Sequence, residues 1–284
     1  MNAPAPLVDI GINLTHDSYD ADRAAVKARA RDAGVRRLIV TGSSLASSAA
    51  AAALAAADPR FLSSTAGVHP HHASELGPEQ VPILRALLAE PHVVAVGECG
   101  LDYLRDLSPR PAQRRAFELQ LALAARLGKP LFLHQRDAHA DFLDMLRNRG
   151  GRAPKAVAHC FTGTRAEAEE YLALGLYIGI TGWIADERRG QHLEEVVRHV
   201  PLERLMLETD GPYLLPRTLR PKPATRRNEP AYLTEVCRVL ALARRESPET
   251  VARSTSGTAA EFFGIDIEGV AAGASPASAG TASK

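Results

Sequence analysis

No stretch of this chain stays apolar for the roughly 18 residues that a membrane span requires, so it reads as a protein that does not enter a bilayer. Met1 to Pro6 shows neither a basic run nor an apolar core, and no secretion signal is expected. Cysteine is scarce. Cys99, Cys160 and Cys237 are three, odd in number and irregular in spacing, which argues against a disulfide framework and for a reducing compartment. The expected location is the cytoplasm. Net charge is also nearly absent, at +1, so the chain as a whole is no nucleic-acid-type polycation, and any basic binding surface must be local. No sequence repeat is evident. No exposed heptad or self-complementary stripe argues for a dimer, and a monomer is the default expectation.

What is present is a rhythm. The 284 residues are 45% hydrophobic and suit one large domain. Short apolar runs with strand character begin near Leu7, Arg36, Phe61, Val93, Pro130, Lys155, Leu176 and Arg204. Several are almost continuously apolar, as strands buried on both faces should be. Helical spacing fills the gaps: Leu193, Val196, Val197 and Val200 fall at i, i+3, i+4 and i+7, and so do Leu233, Val236, Cys237 and Leu240. Phe117, Leu121, Ala124 and Ala125 continue the theme. Eight strand–helix units predict a TIM (β/α)₈ barrel over residues 1–265, with an open doubly wound sheet as the second reading. One further helix is expected between Ser247 and Ile265. Residues 266–284 form a low-complexity C-terminal tail, expected to be disordered because its Ala, Gly, Ser and Pro offer little apolar surface to bury.

In such a barrel the chemistry lies where the strands end. Here those ends carry Asp9 and Asn13, His69 and His71, Glu98, His134, His159, and Glu208 with Asp210. Imidazoles and carboxylates together suit Mn²⁺, Zn²⁺ or Fe²⁺, and carboxylate with water suits Mg²⁺. Such an ion activates water and polarises a phosphoryl or carbonyl oxygen. Glu98, His134, His159 and Asp210 are the candidate ligands, with Asp210 also able to accept a proton from the attacking water. Taken singly, each histidine fits an ordinary hydrogen-bonded core residue, and Glu98 fits an interior carboxylate paired with an arginine. Together, at strands 4, 5, 6 and 8, they point to a metal. His72, His92, His139, His192 and His199 read as surface residues. Cys99 and Cys160 follow two candidate ligands directly, so they should point the other way and serve as packing.

The loop after strand 8 carries Arg217, Arg220, Lys222, Arg226 and Arg227 against the single acid Glu229. Guanidinium groups this dense beside a metal suit a polyanion. Tyr103, Trp183 and Tyr213 fall on the same rim and offer stacking surfaces. The plainer alternative is a solvated proline-rich loop whose Asn228-Glu229-Pro230 starts a helix. Arg136 and Asp137, just past His134, suit substrate contact or orientation of that histidine.

Seven segments resemble those of the TatD family of metal-dependent deoxyribonucleases, in the family's order: GVHPH, VGECGLD, LHQRDA, HCFTGT, YIGITGW, ETDGPYLLP and RRNEPA. The resemblance spans about Val8 to Ile265. It implies a TIM barrel of the metal-dependent hydrolase superfamily. It also implies 3′-5′ exonuclease action on DNA, preferably single-stranded, and on RNA, with a place in DNA repair or degradation. Mg²⁺ is the implied ion, with Mn²⁺ or Zn²⁺ as substitutes. Residue by residue it gives Glu98, His134 and His159 as metal ligands and Asp210 as the catalytic, metal-bound aspartate, with Glu98 sharing in catalysis. His69, Arg136, Arg226 and Arg227 are the expected substrate contacts. Many relatives carry Asp-x-His-x-His at the end of strand 1. Here Gly11 and Asn13 stand in place of both histidines, which implies one well-held metal and at most a weak second ion, helped by Asn13 or His69. Gln135 is a smaller departure, where many relatives have Cys or Ser. Two competing functions share these residues: a metal-dependent aminoacyl-tRNA deacylase or other amidohydrolase-type enzyme, and a nucleic-acid-binding protein with a degraded site.

Overall fold

The computed structural model describes residues 5–148 and 154–267. Eight parallel strands follow one another around a single sheet in sequence order. They are β1 (Leu7–Ile12), β2 (Val35–Val40), β3 (Leu62–Ala66), β4 (Val93–Asp102), β5 (Leu131–Arg136), β6 (Ala156–Ala158), β7 (Tyr177–Ile180) and β8 (Leu205–Leu207). Each begins within one residue of the position that the apolar runs predict. The helices are α1 (Arg23–Asp32), α2 (Leu45–Ala57), α3 (Val81–Ala89), α4 (Arg110–Leu127), α5 (His139–Arg147), α6 (Arg165–Ala173), α7 (Gln191–His199), α8 (Leu233–Arg244) and α9 (Pro248–Phe263). This is the TIM barrel, not the open sheet. It closes beyond the last regular residue of β8, where Asp210 N–H donates to Gly11 carbonyl at 2.8 Å and Asn13 N–H donates to Gly211 carbonyl at 2.9 Å.

Two cores result. The larger lies between strands and helices. Leu193, Val196 and Val197 of α7 and Val236, Cys237 and Leu240 of α8 face it as their spacing requires. On α4 the buried stripe runs through Phe117, Gln120, Leu121, Leu123 and Ala124, and Ala125 is exposed instead. The smaller core fills the barrel with Val8, Ile10, Ile39, Ala95, Phe132, Val157 and Met206. Phe262, Phe263, Ile265 and Ile267 join that cluster, so α9 and Ile267, two residues past the expected boundary, pack against it. Residues 268–284, most of the expected tail, lie outside the described residues. No helix among the described residues is long and apolar enough to cross a membrane.

Candidate metal centre

The C-terminal ends of the strands surround a cavity of about 520 Å³, lined among others by Asn13, His69, Glu98, His134, His159 and Asp210. Its centre is one oxygen. Glu98 Oε1 lies 2.8 Å from His159 Nε2, 3.0 Å from His134 Nδ1 and 3.3 Å from His69 Nε2. Glu98 and His159 are each 7% exposed, and His69 is 8% exposed. Strand pairing makes the convergence possible, because Gly100 of β4 aligns with His134 of β5, and Leu133 of β5 with Ala158 of β6. His69 arrives differently, from the short turn after β3, where its Nδ1 accepts the N–H of His71 at 3.1 Å.

Around this hub stand three more carboxylates. Asp102 Oδ2 lies 2.8 Å from His71 Nε2, and Glu208 Oε2 lies 3.1 Å from His159 Nδ1. Glu208 is fully buried, and its other oxygen accepts the N–H of Cys160 at 2.5 Å. Asp210 Oδ1 accepts from Asn13 Nδ2 at 3.0 Å. Among the described residues none of Glu98, Asp102, Glu208 or Asp210 has an arginine or lysine partner, whereas Asp22, Asp58 and Glu235 all do. The interior Glu–Arg pair is thereby excluded for Glu98.

The electrostatics follow from this packing. Burial opposes the charge on Glu98, but the neighbouring His159 and His69 and the hydrogen bonds from His134 and His159 outweigh it and hold its carboxyl well below the usual range. Burial likewise opposes a proton on His159, and Glu98 and Glu208 overcome it, so its imidazole is raised well above the ordinary value. His69 goes the other way: burial lowers it to about 4 despite Glu98. Asp210 is pushed up to about 7, chiefly by burial and then by the Glu98 and Glu208 carboxylates, against the pull of His159. Carboxylates and imidazoles held this close share protons or share a cation.

The donor set fits a divalent metal. Ligand atoms of His69, Glu98 and His134 lie within 4.8 Å of one another. His134 Nε2 is buried and makes no hydrogen bond, with Asp102 Oδ2 3.4 Å away. His159 shares the same Glu98 oxygen, and Asp210 faces the same cavity.

Other expected site residues separate. Arg136 lines the cavity, with Cζ 6.0 Å from the Trp183 ring centroid. Arg227 does not reach it: its guanidinium grips both oxygens of Asp22, at 2.8 and 2.7 Å, and the carbonyl of Ser18 at 2.5 Å. It clamps the basic loop to the start of α1. Arg226 is exposed and has no ion pair among the described residues. Cys160 departs from its expected packing role. Its φ of +48° breaks strand alternation, and its side chain lines the cavity with Sγ 3.6 Å from Thr181 Oγ1. Asp102 and Arg105 were missed by the motif reading. Asp102 was legible, since it follows Glu98 by four residues on one strand and an even spacing repeats the facing side.

The comparisons agree with this architecture. The model of the family described as TatD related DNase matches residues 8–264. The "3′-5′ ssDNA/RNA exonuclease TatD" of Edwardsiella piscicida is 51% identical over 257 residues, covering 90% of this chain and 99% of that protein. The protein of the same description from Klebsiella pneumoniae is 49% identical over 264 residues, covering 93% and 100%. Among solved structures, the TatD homologue YJJV of Escherichia coli superposes with a TM-score of 0.84 at 29% identity, covering 92% of this chain and 99% of that one. A family match along nearly the whole barrel, with relatives at half identity, places this chain in the TatD-related DNase family.

Proposed function

We propose that this protein is a metal-dependent 3′-5′ exonuclease acting on single-stranded DNA and RNA. The observation that carries the reading is the Glu98 carboxylate oxygen ringed by three imidazoles, with Asp210 facing the same cavity. The nearly full-length likeness to relatives described as ssDNA/RNA exonucleases supports the substrate. Glu98, His134 and His159 would hold the ion, with His69 beside them and Asp210 as a further ligand. Mg²⁺ is the proposed resident, with Mn²⁺ and Zn²⁺ as substitutes, since such donor sets accept several ions. A bound divalent ion there supplies Lewis acidity toward the phosphoryl oxygen and toward water.

The chain's own groups do the rest. Asp210, which faces the same cavity, takes the proton of the attacking water. Asn13 donates to Asp210 Oδ1 and fixes the carboxylate's direction. Glu208 accepts at His159 Nδ1 and so leaves Nε2 aimed at the hub, the role an outer carboxylate usually has for a ligand histidine. Arg136 faces the cavity and is suited to a substrate phosphate, and exposed Arg226 to the strand beyond. The three cysteines are unpaired, which supports a cytoplasmic location, and we take the single barrel to act as a monomer.

The purified chain should shorten 5′-labelled single-stranded DNA from its 3′ end with Mg²⁺ or Mn²⁺. Asp210→Asn should abolish turnover while retaining DNA binding. Binding without cleavage under any divalent ion would replace the reading with a nucleic-acid-binding protein. Release of an amino acid from aminoacyl-tRNA, with DNA left intact, would replace it with a deacylase.

A further inference from the structure

A second cavity, of about 480 Å³, adjoins the first. The two share Gln135, Arg136, His159 and Trp183 as a common wall. Beyond that wall the second cavity is lined by the buried Phe161 and Tyr171 and by exposed Arg189 and His192. Its size lies within the roughly 300–1,000 Å³ of ordinary small-molecule pockets. Trp183 is its natural platform, with Arg136 Cζ 6.0 Å and Arg189 Cζ 5.9 Å from the ring centroid.

Two guanidiniums that face this cavity are uncommitted. Arg217 is paired with Glu187 and Arg227 with Asp22. Neither Arg136 nor Arg189 has a carboxylate partner among the described residues, and both face this space. Most of the polar side chains in the wall are already committed. Gln135 donates to Tyr171 Oη at 2.8 Å and accepts the N–H of Ala138 at 3.0 Å. Glu167 accepts the N–H of Thr164 at 2.6 Å, and His192 Nε2 lies 3.0 Å from the carbonyl of Thr162. What remains is the Trp183 ring with the Arg136 and Arg189 guanidiniums over it, and the Asp137 and Thr162 side chains, which make no hydrogen bond among the described residues. That inventory can stack and neutralise but can read few base edges.

We propose that this cavity is a nucleobase subsite, in which the base of a nucleotide flanking the scissile phosphate stacks on Trp183. Arg136 and Arg189 hold the neighbouring phosphate. The proposal rests on the nuclease reading above and deepens it. The shared wall means that a phosphodiester reaching the Glu98 hub has its neighbouring base delivered into the second cavity. An unpaired base can turn into such a space, whereas a paired one cannot leave its stack without added cost. Because every base has a π face, the subsite favours single strands without selecting a sequence.

The test compares short 5′-labelled oligonucleotides that carry an abasic residue at the terminal or at the penultimate 3′ position with the intact strand. With the native chain and Mg²⁺ or Mn²⁺, one of these two positions should slow cleavage about tenfold, whichever base is replaced. Trp183→Ala should remove that penalty, cleaving intact and abasic strands at similar rates, and Trp183→Phe should keep most of it. If Trp183→Ala does not melt cooperatively, Arg189→Ala reads the same cavity. It should raise KM several-fold for the intact strand and less for the abasic one. No penalty at either position, or a penalty unchanged in Trp183→Ala, overturns the subsite while the nuclease reading stands. Failure to cleave the intact strand overturns the nuclease reading itself.

Discussion

Gly11 offers the sharpest test of how this site is built. It lies where the pairing of β1 with β2 slips between Asp9 and Ile12, and it faces the barrel interior. A Cβ at this position would meet Glu208 Oε2 at 2.6 Å and Phe132 Cζ at 3.0 Å. Glu208 cannot simply step aside. A Cβ on Gly179 would stand 2.4 Å from its other oxygen, so the carboxylate occupies a slot between two glycines. It also holds His159 Nδ1 at 3.1 Å and the N–H of Cys160 at 2.5 Å. Gly11→Ala therefore combines overpacking, about 1–3 kcal/mol, with a weakened charge-assisted hydrogen bond, about 1.5–3 kcal/mol. At roughly 2–4 °C per kcal/mol for a chain of this size, calorimetry should show a Tm lower by roughly 5–20 °C. Disturbing the group that orients His159 should also weaken Mn²⁺ or Zn²⁺ binding by about 10–100-fold in a competition titration against a chelating dye. In a Glu208→Ala background the carboxylate obstruction is gone and only the tight Phe132 Cζ contact remains, so adding Gly11→Ala should cost no more than about 1 kcal/mol. Refutation would be a Gly11→Ala chain with native Tm and metal affinity, or an equal cost with and without Glu208.

Arg226→Ala should reduce the slope of log K against log salt for single-stranded DNA by about 0.7, one phosphate contact, measured by fluorescence anisotropy. Arg227→Ala should leave that slope unchanged and instead lower stability by about 1 kcal/mol, through loss of the Asp22 clamp, as read by urea denaturation. Chelation of a protein held with its ion at about a hundred times Kd should remove about 2.7 kcal/mol of stability, and excess Mn²⁺ should restore the Tm. Asp9, fully buried, has its carboxyl pushed up from 3.8 to about 7 by desolvation, against the hydrogen bonds from Thr209 and Gly11. The folded chain then keeps a proton that the unfolded chain has released, so this group's contribution to stability falls as pH rises from about 3.8 to about 7. Asp9→Asn should flatten the urea-midpoint profile across that window in the metal-free protein, and an unchanged profile would place the titration elsewhere.

What the sequence makes legible here is what repeats along it. Strand onsets could be read to within a residue, because a strand buried on both faces must be continuously apolar, and candidate ligands could be read from the strand ends. What it hides is pairing over long separations. Nothing near Arg227 shows that its charge is spent on Asp22, more than two hundred positions earlier, and loop composition alone made it look free. Nothing near Gly11 shows that Glu208 takes up its side-chain space. Alternation also failed at Cys160, where one left-handed residue turns the next side chains to a new face. The distinction between a structural and a chemical carboxylate is of the same kind. Asp22, Asp58 and Glu235 are each neutralised by arginine or lysine. Glu98, Glu208 and Asp102 are left to histidines, and Asp210 to an asparagine amide. A fold that needed only charge balance would have used the former pairing throughout, because an always-charged guanidinium satisfies a buried carboxylate at any ordinary pH and an imidazole does not. Three clustered carboxylates held by groups able to surrender their protons form a site prepared for a cation from outside the chain.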